Sequence, residues 1–352
     1  MEFSRRIRLN KTTVFLIVLV FLALVMVYLL MGGGDKYNDH DIKISQLLAA
    51  SIHLAEKAGQ EIVEIRKSKS LQETSKLKEG LAGKEIVTLG DQKSHNIITR
   101  GLKEVWPTLR TKSEEKTQSD HDKGRAFRPL LKHPEITAKI QQRNEKVNSD
   151  DIAVWIDPLD ATKEYTEGGT NPELLKYVTV MVCITVSDEP IASVIHQPFV
   201  KDTNGRQGIT YWAWVDHGVS PNLEGIKSSP NTNTIRVISS RSHSGDVIKV
   251  ANSALSDSGN KVEHIVAAGA GYKTLQVALQ KADLYLHTTP IKKWDICAGD
   301  ALIYTLDGVM TTRKGHFITY DPDVDAKVND GLIVAYTKNW HSYFFSKFRK
   351  FQ

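Results

Sequence analysis

The stretch Trp155-Ile156-Asp157-Pro158-Leu159-Asp160-Ala161-Thr162 decides how this chain is read. The apolar residues 152–156 form a short strand, and Asp157-Pro158 breaks it. Two carboxylates three residues apart stand at the break, with the Thr162 hydroxyl two residues further on. Carboxylates and a backbone carbonyl in one tight turn make a hard-oxygen site for a divalent cation such as Mg²⁺. Taken alone, the plainer reading is a strand ended by an ordinary Asp-Pro turn. The remaining sequence has to decide between the two.

The bulk properties exclude several classes. A chain of 352 residues has room for one large domain or two ordinary ones, each with a core. With 41% hydrophobic and 25% charged residues it is globular in composition rather than disordered. The net charge of +5 is not gathered into one long basic run, so no nucleic-acid partner is expected. Only two cysteines occur, Cys183 and Cys297, which rules out a disulfide framework or a cysteine-rich zinc site. Both lie in apolar surroundings and are expected to be buried free thiols, with a single bridge between them left open.

The N-terminus differs from the rest. Residues 14–31 are apolar apart from Tyr28 and carry no charge. Crossing roughly 30 Å of hydrocarbon takes about 20 such residues. Arg5, Arg6, Arg8 and Lys11 precede the run, and Asp35, Asp39 and Asp41 follow it. The positive-inside rule therefore places residues 1–13 as a cytoplasmic tail, 14–31 as a transmembrane signal-anchor and everything beyond the 32–41 linker on the far side. A cleaved signal peptide fits less well, because its apolar core is only about 7–15 residues and Leu29-Leu30-Met31 is a poor cleavage site.

Beyond the linker two patterns follow one another. Residues 42–230 read as helices against an antiparallel sheet: helical spacing over 44–65, a second helix from Asp91 to Trp106, and a hairpin of strands at 177–186 and 191–196. Residues 116–150 are polar with charges of both signs, and read as a solvated surface insertion or, alternatively, a basic lid over an anionic ligand. Residues 231–340 alternate strand and helix, which predicts an α/β half. Residues 341–352 form a basic, aromatic tail with no evident role.

Three further acidic residues stand at element ends. Asp91 opens a helix, Glu114 ends a strand in Ser113-Glu114-Glu115, and Asp295 opens a helix in Trp294-Asp295-Ile296-Cys297-Ala298-Gly299. Each has a dull explanation, since Asp at a helix start is an ordinary cap. Their combination does not. Asp91, Glu114-Glu115, Asp157-Pro-Leu-Asp160-Ala-Thr162 and Trp294-Asp295, in that order, resemble the inositol-monophosphatase-like family of magnesium-dependent, lithium-sensitive phosphatases. Within it, Lys163-Glu-Tyr-Thr-Glu167, Ser240-Arg-Ser-His243, Ala268-Gly-Ala-Gly-Tyr-Lys273 and Ile291-Lys-Lys-Trp-Asp295 resemble the Golgi-resident branch that hydrolyses 3′-phosphoadenosine 5′-phosphate, the by-product of sulfation. The sequence departs from the commoner family pattern at Ser113 and Ala161, where glycine is usual, and in the long interval from Glu114 to Asp157.

The resemblance implies a layered αβαβα sugar-phosphatase-like fold of the α/β class, preceded by one transmembrane helix. It implies two or three Mg²⁺ ions held by Glu114, Asp157, the Leu159 carbonyl, Asp160 and Asp295, with Asp157 bridging. Asp91 and Thr162 would activate the water, and Glu115 would stand behind the ligands. Ser240, His243, Gly269, Lys273 and Asp295 would meet a nucleotide bisphosphate. The implied activity is a 3′(2′),5′-bisphosphate nucleotidase in the Golgi lumen, on a single-pass type II protein, with a homodimer left open. The alternatives are an inositol phosphate phosphatase and a non-catalytic membrane-tethered scaffold.

Overall fold

A computed structural model describes residues 41–77, 84–116, 127–139, 146–226, 233–241 and 246–351. The expected signal-anchor at 14–31 lies outside them. Among the described residues no helix is long and apolar enough to cross a membrane.

The first half runs β1 (Asp41–Lys43), α1 (Ile44–Lys67), β2 (Thr74–Leu77), β3 (Lys84–Val87), α2 (Leu89–Val105), β4 (Arg110–Ser113), α3 (Pro134–Lys139), β5 (Lys146–Asn148), β6 (Ile152–Asp160) and α4 (Thr162–Glu167). It continues with β7 (Thr179–Val186), β8 (Glu189–Lys201), β9 (Gln207–Trp214) and β10 (Gly218–Val219). Six strands form one sheet in the order β10-β9-β8-β7-β6-β4, antiparallel except for the parallel pair β4–β6. Ile44, Leu47, Leu48, Ile52, Ala55, Ala58 and Ile62 recur at helical spacing, and all are buried where α1 packs on α2 and on β8.

The second half runs β11 (Thr234–Ser240), α5 (Val247–Leu255), β12 (Lys261–Ala267), α6 (Ala270–Ala278), β13 (Leu284–His287), β14 (Ile291–Lys292), α7 (Lys293–Thr305), β15 (Val309–Thr312), β16 (Lys327–Val328), β17 (Leu332–Ala335) and α8 (Lys338–Phe348). Its five-stranded sheet has the order β12-β11-β13-β17-β15, with β11 parallel to both neighbours. Alternate residues of each sheet face opposite ways, and both faces of both sheets are covered. α1 and α2 cover one face of the six-stranded sheet, and α7 covers the other beside α6. Those two helices also meet the five-stranded sheet, whose far face carries α5 and α8. The layers are therefore αβαβα. One apolar cluster runs through the middle from Trp155, Met181 and Ile195 to Leu275, Leu302 and Val334.

Four expectations are corrected. Cys183 and Cys297 are not free thiols; they form a disulfide that ties β7 to α7. The 341–352 segment is not a tail, because Phe344 and Phe348 of α8 are fully buried against Leu284, Leu286 and Ile333. The described part of the 116–150 insertion lies at the surface, with Leu130 exposed, but is an anchored segment rather than a free loop. Leu130 N donates to His53 Nδ1 (2.9 Å), Trp212 Nε1 donates to Glu135 Oε2 (2.8 Å), and Ile136 is buried. Its polar composition hid these anchors, which lie on α1 and β9. Finally, the strand of the opening stretch does not end at Asp157; it continues to Asp160 through an irregularity in its pairing with β7.

Candidate active site

The acidic residues are brought together by strand register. β4 and β6 run parallel with Ser113 opposite Ile156. The next residues on each are Glu114 and Asp157, and Glu114 N donates to Ile156 O (3.1 Å). Between Asp157 and Asp160 strand β6 advances three residues while β7 advances two, from Met181 to Thr179. In a regular strand those carboxylates would point to opposite faces; the extra residue of a bulge re-aims one of them. Leu159 N donates to Asp157 Oδ1 (3.1 Å), which closes the turn. Ala161 follows in the left-handed region (φ 67°), a conformation that glycine adopts more easily.

Burial and mutual repulsion dominate the electrostatics. Asp157 is 2% exposed, and its carboxyl is pushed well above the usual range by burial, then by Glu114, Asp160 and Asp295, and by a hydrogen bond with Glu114. Asp160 is raised by burial, against the attraction of Lys273 and hydrogen bonds from Gly271, Ala270 and Thr179. Asp295 is the third residue of α7, where Lys292 N donates to its Oδ2 (3.1 Å). Carboxylates that crowd one another in a buried place repel, and a hard divalent cation relieves that repulsion. As placed, no group of three or more such side chains among the described residues forms a metal cage. The donor set nevertheless fits such an ion: carboxylates around Asp157 with the Leu159 carbonyl beside them.

On the other side of the turn, Asp91 is the third residue of α2. Its Oδ2 accepts from Thr88 N (2.7 Å) and Thr88 Oγ1 (2.6 Å), the dull capping role expected of an Asp there. Its Oδ1 does something else, accepting from Thr162 Oγ1 (3.0 Å). Thr162 Oγ1 also lies 3.0 Å from Leu159 O. Burial raises the Asp91 carboxyl to about 7, Thr88 and Thr162 lower it by hydrogen bonding, and Glu115 adds repulsion. Glu115 accepts from Gln92 Nε2 (2.9 Å) and pairs with Lys76, which also lies 3.7 Å from Glu114.

The residues expected to meet a nucleotide are only partly assembled. His243 lies outside the described residues. Ser240 ends β11, with its Oγ 3.5 Å from His287 Nδ1. Gly269 opens α6 at φ +70°, where a Cβ would sit 2.8 Å from both Asp160 Oδ2 and Tyr177 O. The amides at that helix start are not open to a phosphate, because Asp160 Oδ2 accepts from Gly271 N (2.9 Å). Lys273 is buried, donates to Gly269 O (2.6 Å), and is lowered to about 8 by burial against the pull of Asp160, Glu164 and Asp295.

Two residues of this region had no part in the sequence reading. Lys76 follows no motif, and nothing in the sequence brings it to Glu115. His287 ends β13 beside Ser240, with its Nε2 3.0 Å from Thr289 Oγ1. The signal for it was the end of a parallel strand, where α/β sheets hold ligands.

The chain is similar to known proteins. The model of the inositol monophosphatase family matches residues 43–352. Inositol monophosphatase 3 of Danio rerio is 42% identical over 288 residues, 79% of this chain and 77% of that protein. The Golgi-resident adenosine 3′,5′-bisphosphate 3′-phosphatase of Homo sapiens is 39% identical over 295 residues, 82% of this chain and 77% of that protein. Among solved structures, the extragenic suppressor protein suhB of Bartonella henselae superposes with a TM-score of 0.60 at 16% identity, covering 86% of this chain and 98% of that one. CysQ of Bacteroides thetaiotaomicron does so with a TM-score of 0.56 at 21% identity, covering 84% and 97%.

Proposed function

Since this chain belongs to the inositol monophosphatase family and is a phosphoric monoester hydrolase, we propose that it removes the 3′-phosphate of 3′-phosphoadenosine 5′-phosphate, giving AMP and phosphate. The observation that carries the reading is the Asp91–Thr162 contact beside the crowded carboxylates of Glu114, Asp157, Asp160 and Asp295. The choice of substrate is supported by the similarity to the human Golgi-resident enzyme.

Phosphate monoesters are among the slowest of bonds to break unaided, so the site must lower the barrier greatly. Glu114, Asp157, the Leu159 carbonyl, Asp160 and Asp295 would hold two or three Mg²⁺ ions. When bound, Mg²⁺ screens charge on the phosphoryl oxygens and lowers the pKa of water. Thr162 orients the attacking water by accepting its hydrogen on Oγ1 while donating its own to Asp91. Asp91 is fit to receive a proton near neutral pH, because burial has raised its affinity to about 7. Glu115, held by Gln92 and Lys76, would stand behind the ligands, with Lys76 reaching Glu114 as well.

The same reading places the catalytic residues in the Golgi lumen, behind a signal-anchor at 14–31. The Cys183–Cys297 disulfide supports an oxidising compartment, as does the residence named for the human relative. A second reading, an inositol phosphate phosphatase, is favoured by the name of the zebrafish relative. Phosphate release by the full-length protein with Mg²⁺ separates them. A higher kcat/KM for 3′-phosphoadenosine 5′-phosphate than for inositol monophosphate is expected; the reverse order would select the second reading.

A further inference from the structure

α4, which leaves the Asp157–Thr162 turn, carries Glu164 and Glu167, and one arginine from the second half of the chain holds both. Arg241 Nη1 donates to Glu164 Oε1 (3.1 Å) and to Glu167 Oε2 (2.7 Å). The Glu164 side chain is 3% exposed, whereas those of Glu167 and Arg241 are 34% and 39% exposed. Arg241 directly follows Ser240, and its own amide donates to Ala267 O (2.8 Å), just ahead of Gly269 and α6. The backbone of Arg241 therefore sits at the carboxyl ends of β11 and β12, the rim at which open α/β sheets hold ligands, while its guanidinium reaches α4.

This arginine spends one nitrogen on two carboxylates. Among the described residues its Nε and Nη2 have no hydrogen-bond partner. Those two atoms form the fork of a guanidinium, whose parallel N–H groups match two oxygens of a phosphate. A guanidinium pinned through Nη1 is already ordered, so a ligand on its free edge has less freedom to remove. Lys163 lies 3.7 Å from Glu167, so a second cation stands beside Arg241 on the more exposed of its two carboxylates.

We propose that Arg241 is a specificity-determining residue whose Nε/Nη2 edge receives a second phosphate of the substrate, one that is not hydrolysed. The inference deepens the phosphatase reading above and rests on it: the preferred substrate class is a bisphosphate, and the second anionic group is what selects it. Glu164 and Glu167 are positioning residues that aim the fork.

The test compares the full-length protein with its Arg241→Ala, Arg241→Lys and Glu167→Gln variants, in detergent with Mg²⁺, on 3′-phosphoadenosine 5′-phosphate and on adenosine 3′-monophosphate. Losing a charge-assisted fork raises the KM for the bisphosphate by roughly 10- to 100-fold. The preference for bisphosphate over monophosphate falls by the same factor in Arg241→Ala. Arg241→Lys, a point charge without the fork, recovers part of it, and Glu167→Gln gives a smaller fall. Thermal melting of each variant reports folding, and Arg241→Lys carries the test should Arg241→Ala not fold. Equal losses on both substrates, or an unchanged preference, would overturn the inference while leaving the phosphatase reading standing. A wild-type protein without turnover of the bisphosphate would overturn both.

Discussion

Thr162 Oγ1 lies 3.0 Å from Asp91 Oδ1 and 3.0 Å from the Leu159 carbonyl oxygen. One hydroxyl proton thus has two acceptors. Donation to Asp91 leaves the carbonyl free for a cation and leaves Oγ1 able to accept from water. Removing the hydroxyl in Thr162→Ala should lower kcat by about 10²- to 10⁴-fold, the usual worth of a positioned proton acceptor, with little change in KM. Thr162→Ser keeps the hydroxyl and should retain most of the activity. Steady-state kinetics decide it; a Thr162→Ala enzyme of normal kcat would remove the pair from the reaction.

Asp157 sits among the carboxylates, and burial first, then Glu114, Asp160 and Asp295, raise its carboxyl. Asp157→Asn keeps an oxygen for the Leu159 amide and discards the charge. The variant should fold, and its melting temperature without Mg²⁺ should not fall below that of the wild type. Turnover should be lost, together with the rise in melting temperature that Mg²⁺ gives a protein binding it only when folded. Near-normal turnover in this variant would refute the assignment of the metal site.

Ala161 adopts φ 67° and ψ 43°, where its Cβ is crowded. Ala161→Gly should relieve that crowding and stabilise the fold by up to about 1 kcal/mol despite glycine's greater freedom in the unfolded chain. Denaturant unfolding measures this directly. A loss of more than about 1 kcal/mol, the cost of a glycine where alanine is unstrained, would show that the left-handed turn carries no strain.

Asp300 of α7 is buried against Tyr320, whose hydroxyl donates to its Oδ2 (2.8 Å). Burial raises its carboxyl from 3.8 to about 7, the Tyr320 bond lowers it in part, and Glu189 adds repulsion. The folded state therefore binds this proton more tightly than the unfolded chain does. Its contribution to stability is fully present below pH 4 and is lost as pH rises to about 7, a change on the order of 4 kcal/mol. Asp300→Asn cannot titrate. Its melting temperature should therefore gain on that of the wild type as pH rises from 5 to 8. A constant difference across that range would contradict the raised affinity.

The acidic residues of the candidate site were easier to single out in the sequence than the way the chain brings them together. Asp91, Glu114, Asp157 and Asp295 were legible because each stands at a recognisable element end. The β4–β6 register that sets Glu114 beside Asp157, and the bulge that re-aims the turn carboxylates, are properties of pairing, which local periodicity does not report. Phe344 and Phe348 were read as a tail because basic residues interleave the aromatic ones; only the five-stranded sheet beneath them makes them core. Arg241 was quoted within a motif without a role, since its partners Glu164 and Glu167 lie in the other half of the chain.

The central claim is that this chain removes the 3′-phosphate of 3′-phosphoadenosine 5′-phosphate in a reaction that needs Mg²⁺. It is tested most directly by identifying the nucleoside product after the full-length protein is incubated with that substrate, with Mg²⁺ and with a chelator in its place. AMP formed with Mg²⁺ and absent with the chelator is the predicted result. Adenosine 3′-monophosphate as product, no product at all, or AMP formed equally well with the chelator would contradict it.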